Sequence, residues 1–254
     1  MDAVAALLPS GMEPWVAALL IVASAFTSAI TAAFGIGGGI AMLALMGLFV
    51  PVASLIPVHG AVQLGSNTGR AWHQRAFVRM DVAKPFIAGS VVGAIVGVFL
   101  VVQLPDALLK LVLGGFILLL TWAKIPGIDR LTKAGLAVAS IALALLSMLV
   151  GATGPLVAVL FARFLQNDRK ALVATSAVAM TTQHFLKIVV FGIAGFAFWE
   201  WVPLVAAMML SGYIGTVYGS VLLERMPEEV FRKWFRIGIT VLALDLLRRG
   251  LTGL

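Results

Sequence analysis

The sequence predicts an all-α polytopic membrane protein with about 8–10 membrane helices in two inverted repeats, some of them re-entrant or broken at glycine. Three observations predict this class: the composition is 61% hydrophobic and only 11% charged, uncharged runs of membrane-spanning length recur, and glycine clusters occur at matching places in both halves. A soluble domain has roughly 45–50% apolar and about 25% charged residues. The composition therefore excludes an ordinary soluble enzyme, a disordered chain and a nucleic-acid-binding protein. The lack of cysteine excludes disulfides and cysteine metal sites.

Five membrane segments are expected in the first half. A membrane helix needs about 20 apolar residues, and no charged residue occurs from Pro14 through Gly69, a run too long for one span. Glycine weakens a helix by roughly 1 kcal/mol relative to alanine, so the glycines at 35–39 form the first expected break, and the stretch from Pro51 to Pro57 forms the second. The expected segments are 14–34, 36–56, 57–79, 84–104 and 105–123.

The second half follows the same plan. Its first apolar run, from Ala134 to Ala162, is interrupted by the stretch Gly-Ala-Thr-Gly-Pro at 151–155. Segments 36–56 and 152–166 are short or bounded by proline, so each is either a full span or a half-helix that returns in a re-entrant hairpin. The N-terminus lacks the positive n-region of a signal peptide, and we expect it to belong to the mature chain. The expected segments are 133–150, 152–166, 171–195, 201–223 and 230–248.

Four clusters of basic residues set the expected orientation. The net charge is +7, and cytoplasmic loops of membrane proteins are enriched in Lys and Arg. With alternating crossings, all four clusters lie on the cytoplasmic side and both termini lie outside. The pair Arg248–Arg249 is an exception, and we expect Asp245 to pair with one of these two residues. The clusters are Arg70, Arg75, Arg79 and Lys84; Lys124, Arg130 and Lys133; Arg163, Arg169 and Lys170; and Arg225, Arg232, Lys233 and Arg236.

The two halves align weakly with each other. At an offset of 116 residues, Gly35 corresponds to Gly151, and basic Arg169–Lys170 corresponds to neutral Ala53–Ser54. Equivalent loops therefore differ in charge. A unit of five crossings followed by its copy is inverted because five is odd, and inverted repeats are typical of secondary transporters. We predict a first repeat at 1–128 and a second, inverted repeat at 129–254.

The glycine clusters are the first candidate binding groups. Their backbone N–H groups have no helical partner, and a half-helix that follows presents the positive end of its dipole. Together these features favour an anion site that needs no cationic side chain. The alternative is close helix packing, for which membrane helices also use small residues. The candidates are Gly35, Gly37, Gly38 and Gly39 in the first half, and Thr153 and Gly154 in the second.

Polar residues on the third helix of each half are the second group of candidates. Neutral amide and hydroxyl donors suit an oxyanion that must bind and then leave. We expect Asn67 and Gln183 to lie close together where the two helices cross. Interhelical hydrogen bonding is the structural alternative. The candidates are Gln63, Ser66, Asn67, Thr68 and Arg70 in the first half, and Thr182, Gln183, His184 and Lys187 in the second.

Ionisable residues within membrane spans are functional hypotheses by default. Lys187 lies three residues after His184 on the same helix face, and it either binds the anion, exchanges a proton, snorkels or pairs with a carboxylate. His59 and His184 are candidates for proton coupling, with a structural role as the alternative. An intramembrane hydrolase that uses Ser66 or Ser176 with His184 is a different class of function, but the sequence has no Gly-x-Ser-x-Gly elbow. A structural membrane subunit is a further alternative.

The sequence resembles the sulfite exporter TauE/SafE family of bacterial membrane permeases. The resemblance covers nearly the whole chain and rests on glycine-rich motifs. They are Phe-Gly-Ile-Gly-Gly-Gly at 34–39, Pro51 and Pro57, Gly-Ser-Asn-Thr at 65–68, Gly-Ala-Thr-Gly-Pro at 151–155, and Ala-Thr-Ser at 174–176. Thr153 and Pro155 depart from the fuller glycine run that is common in the family, which leaves open how symmetrical the two halves of the site are.

The resemblance implies transport, usually outward, of a small sulfur-containing anion such as sulfite or an organosulfonate. With the repeat pattern, the expected protein is a secondary transporter in the bacterial inner membrane that works by alternating access around a midplane site. An anion channel or facilitator is the alternative. The expected partners are the anionic substrate and the lipid bilayer, without nucleic acid or cofactor. Proton coupling and a homodimer remain open.

Overall fold

The computed structural model describes residues 8–34, 37–100, 105–122, 130–165, 168–219 and 228–253. Within these residues the chain forms ten α-helices and no β-strand, which confirms the all-α polytopic class. The first half contains α1 (Pro14–Phe34), α2 (Gly38–Phe49), α3 (Val52–His73), α4 (Met80–Leu100) and α5 (Asp106–Trp122). The second half contains α6 (Lys133–Val150), α7 (Gly154–Ala162), α8 (Arg169–Ile193), α9 (Val202–Ile214) and α10 (Glu228–Thr252).

Five stretches of the described chain are long and apolar enough to cross a membrane. α3 is long enough but is not among them, because polar residues such as His59, Gln63 and Asn67 lower its mean hydropathy. The five stretches are Pro14–Ala33, Met80–Phe99, Lys133–Val150, Arg169–Ile193 and Phe198–Tyr218.

The helix ends agree with the sequence at some places and differ at others. α1 and α6 have the predicted ends. The prediction that a segment begins at residue 57 is wrong, since α3 begins at Val52 and contains Pro57. Proline there removes one backbone hydrogen bond, to the carbonyl of residue 53, and membrane helices tolerate such a loss. α9 ends at Ile214 and is followed by a π-helical turn at Gly215–Gly219.

α2 and α7 are too short to span the hydrocarbon core. They contain 12 and 9 residues, which is about 18 and 14 Å of helix against a core of about 30 Å. α2 runs antiparallel to α1, since the rings of Trp15 and Phe49 lie 5.5 Å apart at one end and Gly38 lies against Thr27 at the other. Segments 36–56 and 152–166, which the sequence left open, thus contain half-length helices that follow glycine breaks.

The described basic loops lie at one end of the helix bundle. Lys133 pairs with Asp81 at 3.1 Å, and the Lys170 ammonium lies 5.2 Å from the centre of the Phe77 ring. Arg169 donates to the Ala33 carbonyl. These contacts join the loops around α3, α4, α6 and α8 at one face. Lys124 and Arg225 lie outside the described residues, and the assignment of this face to the cytoplasm stays a prediction.

The C-terminal arginine pair lies at the other end. Asp245 accepts hydrogen bonds from Arg248 at 2.7 Å and from Arg249 at 2.8 Å, so the predicted pairing is confirmed for both arginines. Arg249 also donates to the Leu48 carbonyl at the end of α2, at 3.1 Å. Asp245 thus offsets one of the two positive charges that the orientation rule places on the unexpected face.

Helices of the two halves pack in a reciprocal pattern. α4 packs on α6 and α8, and α9 packs on α1 and α3, while α3 packs on α8 and α5 on α10. Exchanging the first five helices with the second five reproduces these pairs. This is the pattern expected of two repeats related by a two-fold axis. The repeat boundaries at 1–128 and 129–254 remain a prediction that this pattern supports.

Glycines let two of these helix pairs approach closely. A Cβ on Gly89 of α4 would lie 1.9 Å from the Ala137 carbonyl oxygen of α6, and a Cβ on Gly215 after α9 would lie 1.9 Å from the Ala25 carbonyl oxygen of α1. Small residues at such interfaces allow backbone contact where lipid gives no hydrophobic driving force. These contacts hold two helix pairs around α3 and α8, which lie at the centre.

Candidate functional site

A small cavity lies between α3 and α8, where both glycine breaks meet. Its volume is about 40 Å³. About 10–15 Å³ by this measure accommodates one water molecule, so the cavity has room for a ligand of a few heavy atoms. Its lining residues are Thr31, Gly37, Gly39, Ile40, His59, Gln63, Asn67, Arg70, Ala152, Gly154, Pro155, Ser176, Met180 and His184.

The N-termini of both half-length helices face this cavity. α2 follows Gly37, whose φ is +105°, and α7 follows the break at Gly151, whose φ is +79°. Glycine adopts positive φ at little cost, so both breaks favour glycine at these positions. The first N–H groups of a helix have no intrahelical acceptor, and the helix dipole is positive at that end. Two such ends at one cavity favour an anion.

A network around Arg70 of α3 forms the end of the cavity nearer the basic loops. Arg70 is 3% exposed. It donates from Nη1 to Asn67 Oδ1 at 3.1 Å and from Nη2 to Ser66 Oγ at 3.3 Å. Asn67 donates to the Gln63 carbonyl at 2.8 Å, and Ser66 pairs with Ser28 of α1 at 2.9 Å. Since no carboxylate pairs with Arg70 in the described part of the chain, neutral oxygens alone contact its charge.

His59 and His184 line the opposite end of the cavity, and Lys187 lies next to them against Gly60. Lys187 is fully buried, and its Nζ donates to the carbonyl oxygen of Gly151 at 2.6 Å. This carbonyl is at the C-terminus of α6, the negative end of that helix. The rings of His59 and His184 lie 6.0 Å apart. Lys187 neither reaches the surface nor pairs with a carboxylate among the described residues. Snorkelling and ion pairing therefore do not apply, and binding of the anion or exchange of a proton remain as its possible roles.

Four of the lining residues contain a buried polar atom that has no hydrogen-bond partner in the described residues. Buried polar groups are nearly always paired, so several unpaired ones at one cavity indicate a site for a polar ligand. The described lining contains no Asp or Glu, and the side chains concerned are donors or can become donors. The atoms are His59 Nδ1, Arg70 Nε, Ser176 Oγ and His184 Nδ1.

The structure brings many of the predicted site residues together. Gly35 lies outside the described residues. Ser66, Thr153, Gln183 and Lys187 are buried beside the cavity and bond to its surroundings without lining it. The predicted residues that line the cavity are Gly37, Gly39, Gln63, Asn67, Arg70, Gly154 and His184.

Asn67 and Gln183 hydrogen-bond to different partners, and no hydrogen bond joins them in the described residues. Asn67 bonds along α3, whereas Gln183 Oε1 accepts a hydrogen bond from Thr153 Oγ1 at 2.8 Å. Across α3 and α8, the rings of His59 and His184 face each other. That Asn67 and Gln183 lie close together stays a prediction.

Three predicted residues point away from the cavity. A Cβ on Gly38 would lie 1.8 Å from the Thr27 carbonyl oxygen, so this glycine packs against α1. Thr68 is exposed. Thr182 donates to the Val178 carbonyl of its own helix at 3.1 Å.

Some lining residues were not predicted as binding residues. Thr31 could have been found, because it continues a polar stripe on α1 at helical spacing from Ser24, Thr27 and Ser28. Ile40 and Met180 give no signal in the sequence, since apolar residues on a membrane helix are expected everywhere.

A larger cleft of about 660 Å³ opens at the end of the bundle opposite the basic loops. Exposed Asp106 and Glu200 lie at its rim. Pro57 lines this cleft and His59 lines the small cavity, and two residues correspond to about 3 Å along a helix. The two spaces therefore approach each other along α3.

Neither candidate serine nucleophile is hydrogen-bonded to His184 in the described residues. Ser66 bonds to Ser28 and Arg70, and Ser176 Oγ has no partner there. An activated serine has its base within about 2.6–3.2 Å. The described geometry therefore contains no assembled Ser–His pair.

Comparison with known families gives one match: the model of the family described as Sulfite exporter TauE/SafE matches residues 20–246. The match includes both glycine breaks and all the helices that line the cavity. Comparisons with curated proteins and with solved structures give no match.

Proposed function

Because the chain belongs to the sulfite exporter TauE/SafE family, we propose that it is a secondary transporter that binds a small sulfur-containing anion in the cavity between α3 and α8. The family and the apolar helices make it a multi-pass membrane protein of a sulfur-anion transport family. The proposal adds the binding site, outward transport of sulfite or an organosulfonate across a bacterial inner membrane, and alternating access as the mechanism.

One observation supports the site most strongly. Two helix N-termini and four buried polar groups without a partner in the described residues meet at one cavity whose described lining contains no carboxylate. The Arg70 guanidinium lies at one end, and the Lys187 ammonium lies beyond the other. A tetrahedral or pyramidal oxyanion has three or more acceptor oxygens, and donors that converge from several helices suit it. Neutral donors around two cations also allow release, since the ion is not held by charge alone.

The arrangement of the two spaces supports alternating access. The large cleft lies at one end of the bundle and approaches the cavity along α3. The half-length helices α2 and α7 come from opposite halves and both start at the site. A rearrangement of one half against the other would thus change the access to the site from one side to the other, as in transporters with inverted repeats.

A binding screen tests the site. Purified protein in detergent is heated with sulfite, thiosulfate, sulfate, taurine, sulfoacetate or a carboxylate control, and its melting temperature is recorded. A ligand that binds the native state raises this temperature by mass action. We expect a rise with at least one sulfur anion. The rise should disappear in Gly39→Val, whose new methyl groups enter the cavity. It should persist in Gly115→Val, where a Cβ meets nothing within 4 Å. Equal rises in both variants would place the site elsewhere.

Flux separates a transporter from a channel. Proteoliposomes are loaded with unlabelled sulfite, and entry of labelled sulfite is followed. A transporter gives saturable uptake that is stimulated by unlabelled sulfite on the opposite side. Uptake that rises linearly with concentration and is indifferent to the opposite side would favour the channel. No flux by the purified protein would favour the structural subunit.

A further inference from the structure

We propose that binding of the anion takes up a proton at Nδ1 of His59, so that anion and proton cross the membrane together. This inference rests on the proposed function, because it assigns the coupling ion to the same cavity.

The hydrogen-bond geometry of His59 determines which nitrogen is protonated. Its Nε2 lies 2.9 Å from the carbonyl oxygen of Gly39. A carbonyl oxygen only accepts, so Nε2 carries the hydrogen. A neutral imidazole has one N–H and one bare nitrogen, which leaves Nδ1 with a lone pair. Nδ1 is also the buried atom without a partner in the described residues, on a side chain that lines the cavity.

A bare Nδ1 repels an anion, because both present lone pairs. A proton at Nδ1 converts this atom into a donor and gives a charge-assisted hydrogen bond to the anion. Without the anion, the additional buried positive charge would be costly. Anion and proton therefore each favour the binding of the other, and this coupling is reciprocal by thermodynamic necessity.

Within the part of the chain that the structure describes, the surroundings of His59 contain bases and no acid. His184 and Lys187 face it from α8, and Arg70 lies three turns further along α3. α1, α2, α7 and the stretch 151–155 contain no titratable side chain. The acids of the neighbouring elements, Asp106 and Glu200, lie at the outer cleft, and Tyr213 of α9 lies beside Gly69, at the other end of α3. The anion itself is thus the counter-charge for a proton at this position.

Calorimetry measures this proton directly. The heat of binding of thiosulfate, sulfate or sulfite is determined in two buffers that differ in ionisation enthalpy, and the difference gives the protons taken up. Thiosulfate and sulfate do not titrate near neutral pH, and sulfite is corrected for its own titration. We expect about one proton per anion in the unmodified protein, and an affinity that falls up to about tenfold between pH 7 and pH 8.

Three histidine variants locate the proton, since the chain contains three histidines. His59→Gln can still donate to the Gly39 carbonyl but cannot take up a proton, so we expect binding without uptake and with little pH dependence. The exposed His73→Gln should retain the uptake, and the neighbouring His184→Gln tests whether that ring takes up the proton instead.

The experiment distinguishes failure of the proton inference from failure of the proposed function. Anion binding without proton uptake in the unmodified protein, or unchanged uptake in His59→Gln, overturns this inference and leaves the proposed function intact. Loss of uptake in His184→Gln alone moves the proton to that ring and also overturns it. Binding of none of these three anions and of neither taurine nor sulfoacetate overturns the proposed function.

Discussion

A single methyl group should distinguish the two neighbouring glycines at the start of α2. In Gly38→Ala, the new Cβ would lie 1.8 Å from the Thr27 carbonyl oxygen and 2.3 Å from Thr31 Oγ1. Real Cβ atoms do not approach other atoms so closely, so α1 and α2 must move apart. In Gly39→Ala, the new Cβ lies 3.6 Å from the side-chain amide of Gln63, which is an ordinary van der Waals contact.

The expected difference follows from these distances. Overpacking costs about 1–3 kcal/mol, and 1 kcal/mol corresponds to about 2–4 °C for a chain of this size. Gly38→Ala should therefore lower the melting temperature by about 2–12 °C, whereas Gly39→Ala should change it by less than about 2 °C. Tryptophan fluorescence during heating in detergent measures this, since the chain has six tryptophans. Equal melting temperatures for the two variants would refute the assignment of Gly38 to packing and of Gly39 to the cavity.

Three further predictions concern the polar side chains of the site, all measured with sulfite as the ligand. Lys187→Met should weaken binding several-fold, because it removes a buried positive charge beside the cavity; Lys110→Met, which loses only an ion pair with the exposed Asp106, should not, and equal affinities would limit Lys187 to structure. Arg70→Gln should weaken binding by about tenfold or more, since a hydrogen bond to a charged group contributes about 1.5–3 kcal/mol, while the exposed Arg75→Gln serves as its control; an unchanged affinity would remove the guanidinium from the site. Ser66→Ala should retain most of the transport rate, because Ser66 does not line the cavity; complete loss of transport with normal binding would instead support a nucleophile.

Much of the fold could be predicted because membrane insertion depends on features that a sequence shows directly. α1 and α6 begin and end where proline, charge or glycine interrupts an apolar run. Asn67, Arg70 and His184 could be assigned to the site for a related reason. Polar side chains within membrane spans are costly, so they are expected at places where they have a function.

Which residues face the cavity could not be predicted, because this depends on contacts between helices. Gly38 and Gly39 are adjacent in sequence, and only the position of α1 decides which of them faces the cavity. The register of α3 against α8 is also set by all the surrounding packing. For this reason the sequence alone does not show that the rings of His59 and His184 face each other at the cavity.

The low apolarity of α3 has a consequence for how the protein is made. A newly synthesised helix with histidine, amide and arginine side chains gains little by partitioning into lipid, and α3 does not reach the hydropathy of the five stretches that are apolar enough to cross a membrane. Its principal partner, α8, is synthesised much later. We therefore expect α3 to be held only loosely until α8 is inserted. The side chains that form the cavity would then be the last part of the molecule to assemble, and damage to α8 would expose α3 to the quality-control proteases of the membrane.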